Sequence, residues 1–181
     1  MKTIRIHTDG ACSGNQHAEN SGGWGTILEY QGTEKELYGG EINTTNNRME
    51  LTALLEGLKA LKAQTLAIEV YSDSAYVINC FTQGWYKTWR MNGWRNSKKE
   101  PVENQDLWEP IIELAESFSQ IRFFAIKGHL NFSKPAEIQT WYKKFQEKNH
   151  STLGLDEFKE IVGFNHRVDE LACKGAAECR K

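Results

Sequence analysis

Thr44-Thr45-Asn46-Asn47-Arg48-Met49-Glu50-Leu51 is the stretch on which the fold turns. Two hydroxyls and two amides stand in a row, a lone carboxylate comes next, and then Leu51, Leu54, Leu55, Leu58 and Leu61 recur at helical spacing. A polar loop therefore feeds straight into a helix with one apolar face. That helix is expected to run to about Ala63, with Glu50 in its first turn, where the helix dipole mildly favours a carboxylate. Two readings stay open at this point. Glu50 is an ordinary helix-start carboxylate, or it is aimed into a site whose ligand faces Asn46 and Asn47.

Upstream, Thr3–Thr8 sets Ile4, Ile6 and Thr8 against Arg5, His7 and then Asp9, which is strand periodicity. A glycine-rich polar loop spans Gly14 to Gly25. Trp24–Tyr30 and Glu36–Ile42 read as two more strands, with Gln31-Gly32 as the hairpin turn between them. Downstream, Leu66–Tyr71 is a short strand ending in Ser72-Asp73-Ser74. A helix carrying Tyr76, Val77, Ile78 and Phe81 comes after it, with Ser74 as its N-cap. Between Gln83 and Lys99 leucine, isoleucine and valine vanish. Trp85, Tyr86, Trp89 and Trp94 interleave there with Lys87, Arg90, Arg95, Lys98 and Lys99, and no acidic residue occurs between Asp73 and Glu100. Asp106–Phe118 is a helix, Ile121–Lys127 a strand ending in Gly128-His129, and Asn165–Leu171 belongs to a last helix. The order βββ-α-β-α-α-β-α predicts an α/β fold, a mixed sheet with helices packed on its faces. No internal repeat or linker divides the chain, so residues 1–181 are expected to form one domain.

Composition narrows the class. With 181 residues, 39% hydrophobic and 25% charged, the chain suits a globular protein with a real core. No apolar run is long enough to cross a membrane and no export signal is present, so no membrane partner is expected. Cys12, Cys80, Cys173 and Cys179 form no C-x-x-C pair and no cluster with histidine, which argues for reduced thiols, a cytoplasmic protein and no zinc. The expected state is a monomer. A net charge of −2 speaks against a broadly basic nucleic-acid binder and leaves only the local patch after Gln83 for such a role.

The carboxylates carry the chemistry. Asp9 ends the first strand, Asp73 stands just after the fourth, Glu50 opens a helix and Asp169 lies near the start of the last one. If the first and fourth strands are neighbours, Asp9 and Asp73 come side by side at a sheet edge where sites collect. Four carboxylates at close quarters cannot all stay ionised without a cation. Oxygen ligands without thiolates point to Mg²⁺ or Mn²⁺, and two such ions roughly 3.5–4 Å apart clamp the attacking and leaving oxygens of phosphoryl transfer. Each part also has a local explanation. Asp9-Gly10 is a turn dipeptide, Asp73 lies among capping serines, and Asp169 and Glu170 would complement a dipole. His129 suits an ordinary loop, and the tryptophans suit a core.

The combination is more specific. Thr8-Asp9-Gly10-Ala11-Cys12-Ser13-Gly14-Asn15, Thr44 to Leu51, Tyr71-Ser72-Asp73-Ser74, Lys127-Gly128-His129 and Val168-Asp169-Glu170-Leu171-Ala172 occur in the order seen in bacterial type 1 ribonuclease H. Trp85–Trp94 and Pro101–Trp108 resemble that family's basic protrusion and the segment after it. The resemblance spans about residues 3–129 and 165–177. It implies a ribonuclease H-like fold, a five-stranded mixed sheet of order 3-2-1-4-5 with helices on both faces. It also implies an endonuclease hydrolysing the RNA strand of RNA–DNA hybrids to 5′-phosphate and 3′-hydroxyl ends. Asp9, Glu50, Asp73 and Asp169 would hold two Mg²⁺ ions, with Mn²⁺ a possible substitute, and His129 would assist proton movement or product release. Asn15, Asn46, Asn47 and Asn104 would contact the substrate. Thr45 would help bind a phosphate of the DNA strand and Trp85 would sit in that strand's channel. Independently, amides suit a minor groove edged by 2′-hydroxyls. Lys98 and Lys99 belong to a patch of the kind that holds phosphates without reading sequence.

Two other classes compete. A hybrid- or double-stranded-RNA-binding module without catalysis would not need four carboxylates and His129. A related polynucleotidyl transferase acting on DNA would not need Asn46, Asn47 and the tryptophan-rich segment. The chain also departs from the family. Ala75 stands where many members have glutamine, Glu103 where a basic residue is common, and Asn15–Ser21 is a longer loop. The largest departure is residues 130–164, part of 39 residues between His129 and Asp169, with five lysines and five acidic residues. Ile138, Trp141, Tyr142 and Phe145 share one helix face. Leu155, Phe158, Ile161 and Val162 suggest a second helix, stopped by Gly163. A helical insertion packed on the domain is expected. Because it joins His129 to Asp169, it could also cap the site or contact a protein or substrate.

Overall fold

The computed structural model describes residues 2–13, 19–62 and 67–180. Asn15, Ala63 and Leu66, to which the sequence assigns places, lie outside them. At the centre is β1 (Thr3–Ser13), antiparallel to β2 (Ser21–Tyr30) and parallel to β4 (Ala67–Ser72). The hairpin partner of β2 is β3 (Thr33–Ile42), and β5 (Gln120–Ala125) lies parallel to β4 on the far edge. The sheet order is β3-β2-β1-β4-β5, as the resemblance implied. Gln31 and Gly32 both take positive φ, 49° and 81°, the paired conformation a two-residue hairpin turn needs to match strand twist.

The register places the site. Thr8 pairs with Ser72 at the end of the β1–β4 ladder, so Asp9 and Asp73 are the next residue on each of two parallel neighbours. Side chains alternate across the sheet. On one face, Ile4, Ile6, Ile68 and Val70 pack beneath α1 (Asn46–Lys59), α2 (Ala75–Thr82) and α4 (Gln105–Ser117), with Trp108 fully buried. On the other, Tyr71, Phe124 and Ile126 meet α5 (Pro135–Asn149) and the start of α6 (Leu155–Glu178) through Ile138, Phe145, Phe158, Ile161 and Val162.

Three expectations about helices need correcting, and one short helix joins the expected order. Glu50 lies beyond the first turn of α1, because Thr45 caps the helix and Asn46 begins it. A short α3 (Trp85–Met91) lies within the basic aromatic stretch, entered through Gly84 at φ 71°. Its Trp85 and Trp89, together with Trp94, lean on the α1–α2–α4 core. Gly163 stops nothing, since α6 runs unbroken for 24 residues. Glycine costs a helix interior roughly 1 kcal/mol. The apolar stripe, however, passes straight through it, from Phe158, Ile161 and Val162 to Val168, Ala172 and Ala176, all buried, and burial outweighs that cost. In consequence Asp169 sits in the middle of α6, not near a helix start.

The 130–164 segment packs against the β4–β5 side of the sheet. The Asn149 side chain reinforces the join: its amide donates to the Ala125 carbonyl and its oxygen accepts from the Ala125 N–H, each at 2.9 Å. That pairing covers part of an edge strand that would otherwise present free backbone groups.

Candidate active site

Asp9, Glu50 and Asp73 converge, one carboxylate oxygen of each lying within 4.8 Å of the others. Asp9 arrives from the end of β1, Asp73 from the residue after β4, and Glu50 from α1 above them. Ser72 Oγ accepts from the Ser74 N–H, and Ser74 caps α2, so the chain turns sharply at Asp73. Asp169 and His129 line the same cleft of about 430 Å³, together with Asn46 and Asn47. Asp169 reaches it because Gly25, the cross-strand partner of Asp9, has no side chain. A Cβ there would stand 2.5 Å from the Val168 carbonyl, so only glycine lets α6 lie this close. A Cβ at Gly128 would likewise run into the Asp73 carboxylate, and His129 next to it holds a positive φ of 59°.

Crowding shows in the protonation. Burial, then the Asp73 charge, pushes the Asp9 carboxyl up to about 8. Glu50 is raised well above the ordinary carboxylate range by burial and then by Asp9 and Asp73. Asp73 is raised by burial, opposed by a hydrogen bond from the Asn165 side chain and by the nearby His129. Glu50 Oε2 is buried with no hydrogen-bond partner, an arrangement normally costly to keep. An all-oxygen, electron-rich cluster with an orphaned carboxylate oxygen fits a hard divalent cation, which would lower all three pKa values together.

The other expected site residues are distributed differently. Asn46 and Asn47 are exposed on the cleft rim. Thr45 Oγ1 accepts from the Arg48 N–H as the helix cap. Asn104 is tied within the fold, accepting from Arg48 Nη1 and donating to the Tyr76 hydroxyl, each at 3.2 Å. Arg48 continues to Asp106 through two parallel bonds of 3.0 and 2.8 Å, which clamps α1 to α4. Trp85 is half-buried and donates from Nε1 to Gln83. Lys98 and Lys99 are exposed beyond α3 and do not line the cleft. Of the five cations in that segment, Arg90 is paired with Glu116. Asn165 is the polar neighbour not singled out from the sequence. It stands one helical turn before Asp169, and that i, i+4 spacing was visible.

The RNase H family model matches residues 1–140. Ribonuclease H of Thermoanaerobacter sp. (strain X514) is 52% identical over 129 residues, 71% of this chain and 80% of that protein. The ribonuclease H of Syntrophomonas wolfei is 53% identical over 129 residues, covering 71% and 86% respectively. Among solved structures, LC9-RNase H1 superposes with a TM-score of 0.62 at 23% identity, over 87% of this chain and 80% of that one. LC11-RNase H1 in complex with an RNA/DNA hybrid gives 0.59 at 21% identity, over 98% and 99%. Asp169 lies beyond the family match, so its place in the site rests on α6.

Proposed function

The chain belongs to the ribonuclease H family, and on that premise we propose that it cuts the RNA strand of RNA–DNA hybrids, leaving 5′-phosphate and 3′-hydroxyl ends. The observation that carries this reading is the meeting of Asp9, Glu50 and Asp73 in a cleft whose rim holds Asn46 and Asn47. Asp9, Glu50, Asp73 and Asp169 are the residues that would hold two Mg²⁺ ions, with Mn²⁺ as a substitute. Bound there, the ions supply Lewis acidity to the attacking and leaving oxygens.

The chain's own groups do the rest. Asn46 and Asn47 both donate and accept, which suits 2′-hydroxyls and base edges in the minor groove of a hybrid. His129, exposed on a left-handed turn beside Asp73, would pass a proton to the leaving oxygen or open the way for product. Asn165 holds the Asp73 carboxylate in one orientation. Lys87, Arg95, Lys98 and Lys99 extend from the tryptophan-bearing segment and would meet DNA-strand phosphates, with no sequence preference. Residues 1–181 act as one unit with 130–164 as a helical insertion. Its four free cysteines suit a reducing cytoplasm, and no helix among the described residues is long and apolar enough to cross a membrane. We take the working form to be a monomer.

The test is incubation with labelled RNA–DNA hybrid, duplex DNA and duplex RNA, in Mg²⁺, in Mn²⁺ and in EDTA. Cleavage of the hybrid's RNA strand alone, lost in EDTA, is expected. Cleavage of duplex DNA, or hybrid binding without cleavage in either metal, overturns the reading.

A further inference from the structure

The insertion is neutral by count, yet Lys144 and Lys148 lie apart from Glu157 and Glu160. Glu157 pairs with Arg5, and Glu160 lies with Arg167 around a separate hollow. Lys144 and Lys148, one turn apart on α5, converge instead with Lys127 from the end of β5. Together with Trp141 they line a cavity of about 220 Å³ whose wall also includes Asp73. The ammonium groups of Lys127 and Lys144 both lie over the Trp141 ring, 5.2 and 4.3 Å from its centroid. Among the described residues, ion pairs engage arginines, Lys59 and His7, and none engages these three lysines. Like charges gathered over one indole repel each other, and an anion between them removes that cost.

The pocket lies on the α5–α6 side of the sheet, whereas the tryptophan-bearing segment packs on the α1–α2–α4 side. The two basic surfaces therefore flank the carboxylate cluster from opposite faces. Asp73 borders both the carboxylate cleft and this cavity, so a strand whose scissile phosphate rests at Asp73 can bring a neighbouring phosphate to this wall.

We propose that Lys127 and Lys144, gathered on Trp141, form with Lys148 of the same cavity a subsite for a backbone phosphate of the RNA strand next to the one being cut. The inference rests on the hybrid-cleaving reading above and adds to it a contact that the insertion shares with Lys127, just beyond β5. Trp141 is a positioning residue: its ring holds two ammonium groups where a single phosphate meets both.

The experiment measures hybrid binding by fluorescence anisotropy over a range of salt, in EDTA so that nothing is cut. Wild type is compared with Lys144→Gln/Lys148→Gln and with Lys144→Arg/Lys148→Arg. The glutamine pair is expected to bind severalfold more weakly, with a salt slope shallower by about one unit per lost contact. The arginine pair is expected to keep the wild-type slope. A second arm replaces single RNA-strand linkages, one at a time on either side of the cut, by neutral methylphosphonates. Wild type should lose affinity at one position where the glutamine pair loses none, and the same change in the DNA strand should weaken both proteins alike. Equal slopes for wild type and the glutamine pair, or a selective loss traced to the DNA strand, overturn the subsite. Melting curves of the variants confirm that the comparison is between folded proteins. Failure of wild type to prefer hybrid over duplex DNA would instead overturn the underlying reading, so the two failures are distinguishable.

Discussion

Replacing Glu50 by glutamine should make the metal-free protein more stable at neutral pH, although it removes a group placed to hold metal. The reason lies in the sign of the shift. Glu50 is buried and its folded pKa is raised, so the folded state keeps a proton that the unfolded state releases above roughly 4.3. Wherever the folded state binds more protons, stability falls as pH rises. The slope is at most about 1.36 kcal/mol per pH unit for one group, which sets a ceiling of about 3 kcal/mol between pH 5 and pH 7. For a chain of this size each kcal/mol moves Tm by about 2–4 °C, so the gap between Glu50→Gln and wild type should widen over that interval, by up to about 10 °C. Comparing the two proteins also removes His7. That histidine is buried against Tyr71 and Phe164, its pKa is lowered, and its contribution rises with pH in the same window. The assay is thermal unfolding by circular dichroism in EDTA at pH 4.5, 5, 6 and 7. The melting temperatures should lie closest at pH 4.5, near the unfolded-state value of the glutamate, and separate steadily above it. In excess Mg²⁺ wild type should recover, by about 2.7 kcal/mol at a hundredfold over Kd, while the variant gains less. A gap that stays constant with pH, or a variant less stable than wild type at pH 7 in EDTA, refutes the reasoning.

Asp73→Asn should abolish turnover while retaining hybrid binding by anisotropy; near-normal turnover in Mg²⁺ would remove Asp73 from the set of ligands. Phe158→Ala should cost about 3–5 kcal/mol, because the side chain is fully buried among Tyr142, Phe145 and their neighbours. A loss below about 1 kcal/mol in denaturant melts would mean the site collapses without a cavity. Gly163→Ala should stabilise by about 0.5–1 kcal/mol, since the residue is helical and nothing stands within 4 Å of the added carbon. Destabilisation would mean that Gly163 is a helix end after all.

The sheet was legible because each strand carries its own period and its own turn. The pairing of Asp9 with Asp73 came from a single topological condition, that β1 and β4 be neighbours. What the sequence hid was mostly where helices end. Gly163 is a stop signal by local propensity, yet the buried stripe from Phe158 to Ala176 overrides it. That error carried Asp169 to a helix start when it belongs mid-helix. Thr45 and Asn104 look free as sequence, but the first is spent on a cap and the second on Arg48 and Tyr76. Counting charges across residues 130–164 gave neutrality because a count has no geometry. Only folding separates Lys144 and Lys148 from Glu157 and Glu160.

The continuity of α6 changes what the insertion can be. A hairpin attached through a flexible stop would swing like a lid, and its removal would test a capping role. Here one helix carries Phe158, Ile161 and Val162 into the second core and then Asn165 and Asp169 into the cleft. Any rotation of the insertion about that axis turns Asn165 and Asp169 with it. Tyr71 and Phe124 on the sheet are covered by the same residues. Deleting residues 132–162 would thus expose sheet core and remove the first two turns of α6 at once, so lost activity would report on folding rather than on capping. Substitutions at the exposed Lys144 and Lys148 leave both cores intact. For that reason the charge of the insertion, and not its presence, is the variable that separates a structural cover from a substrate contact.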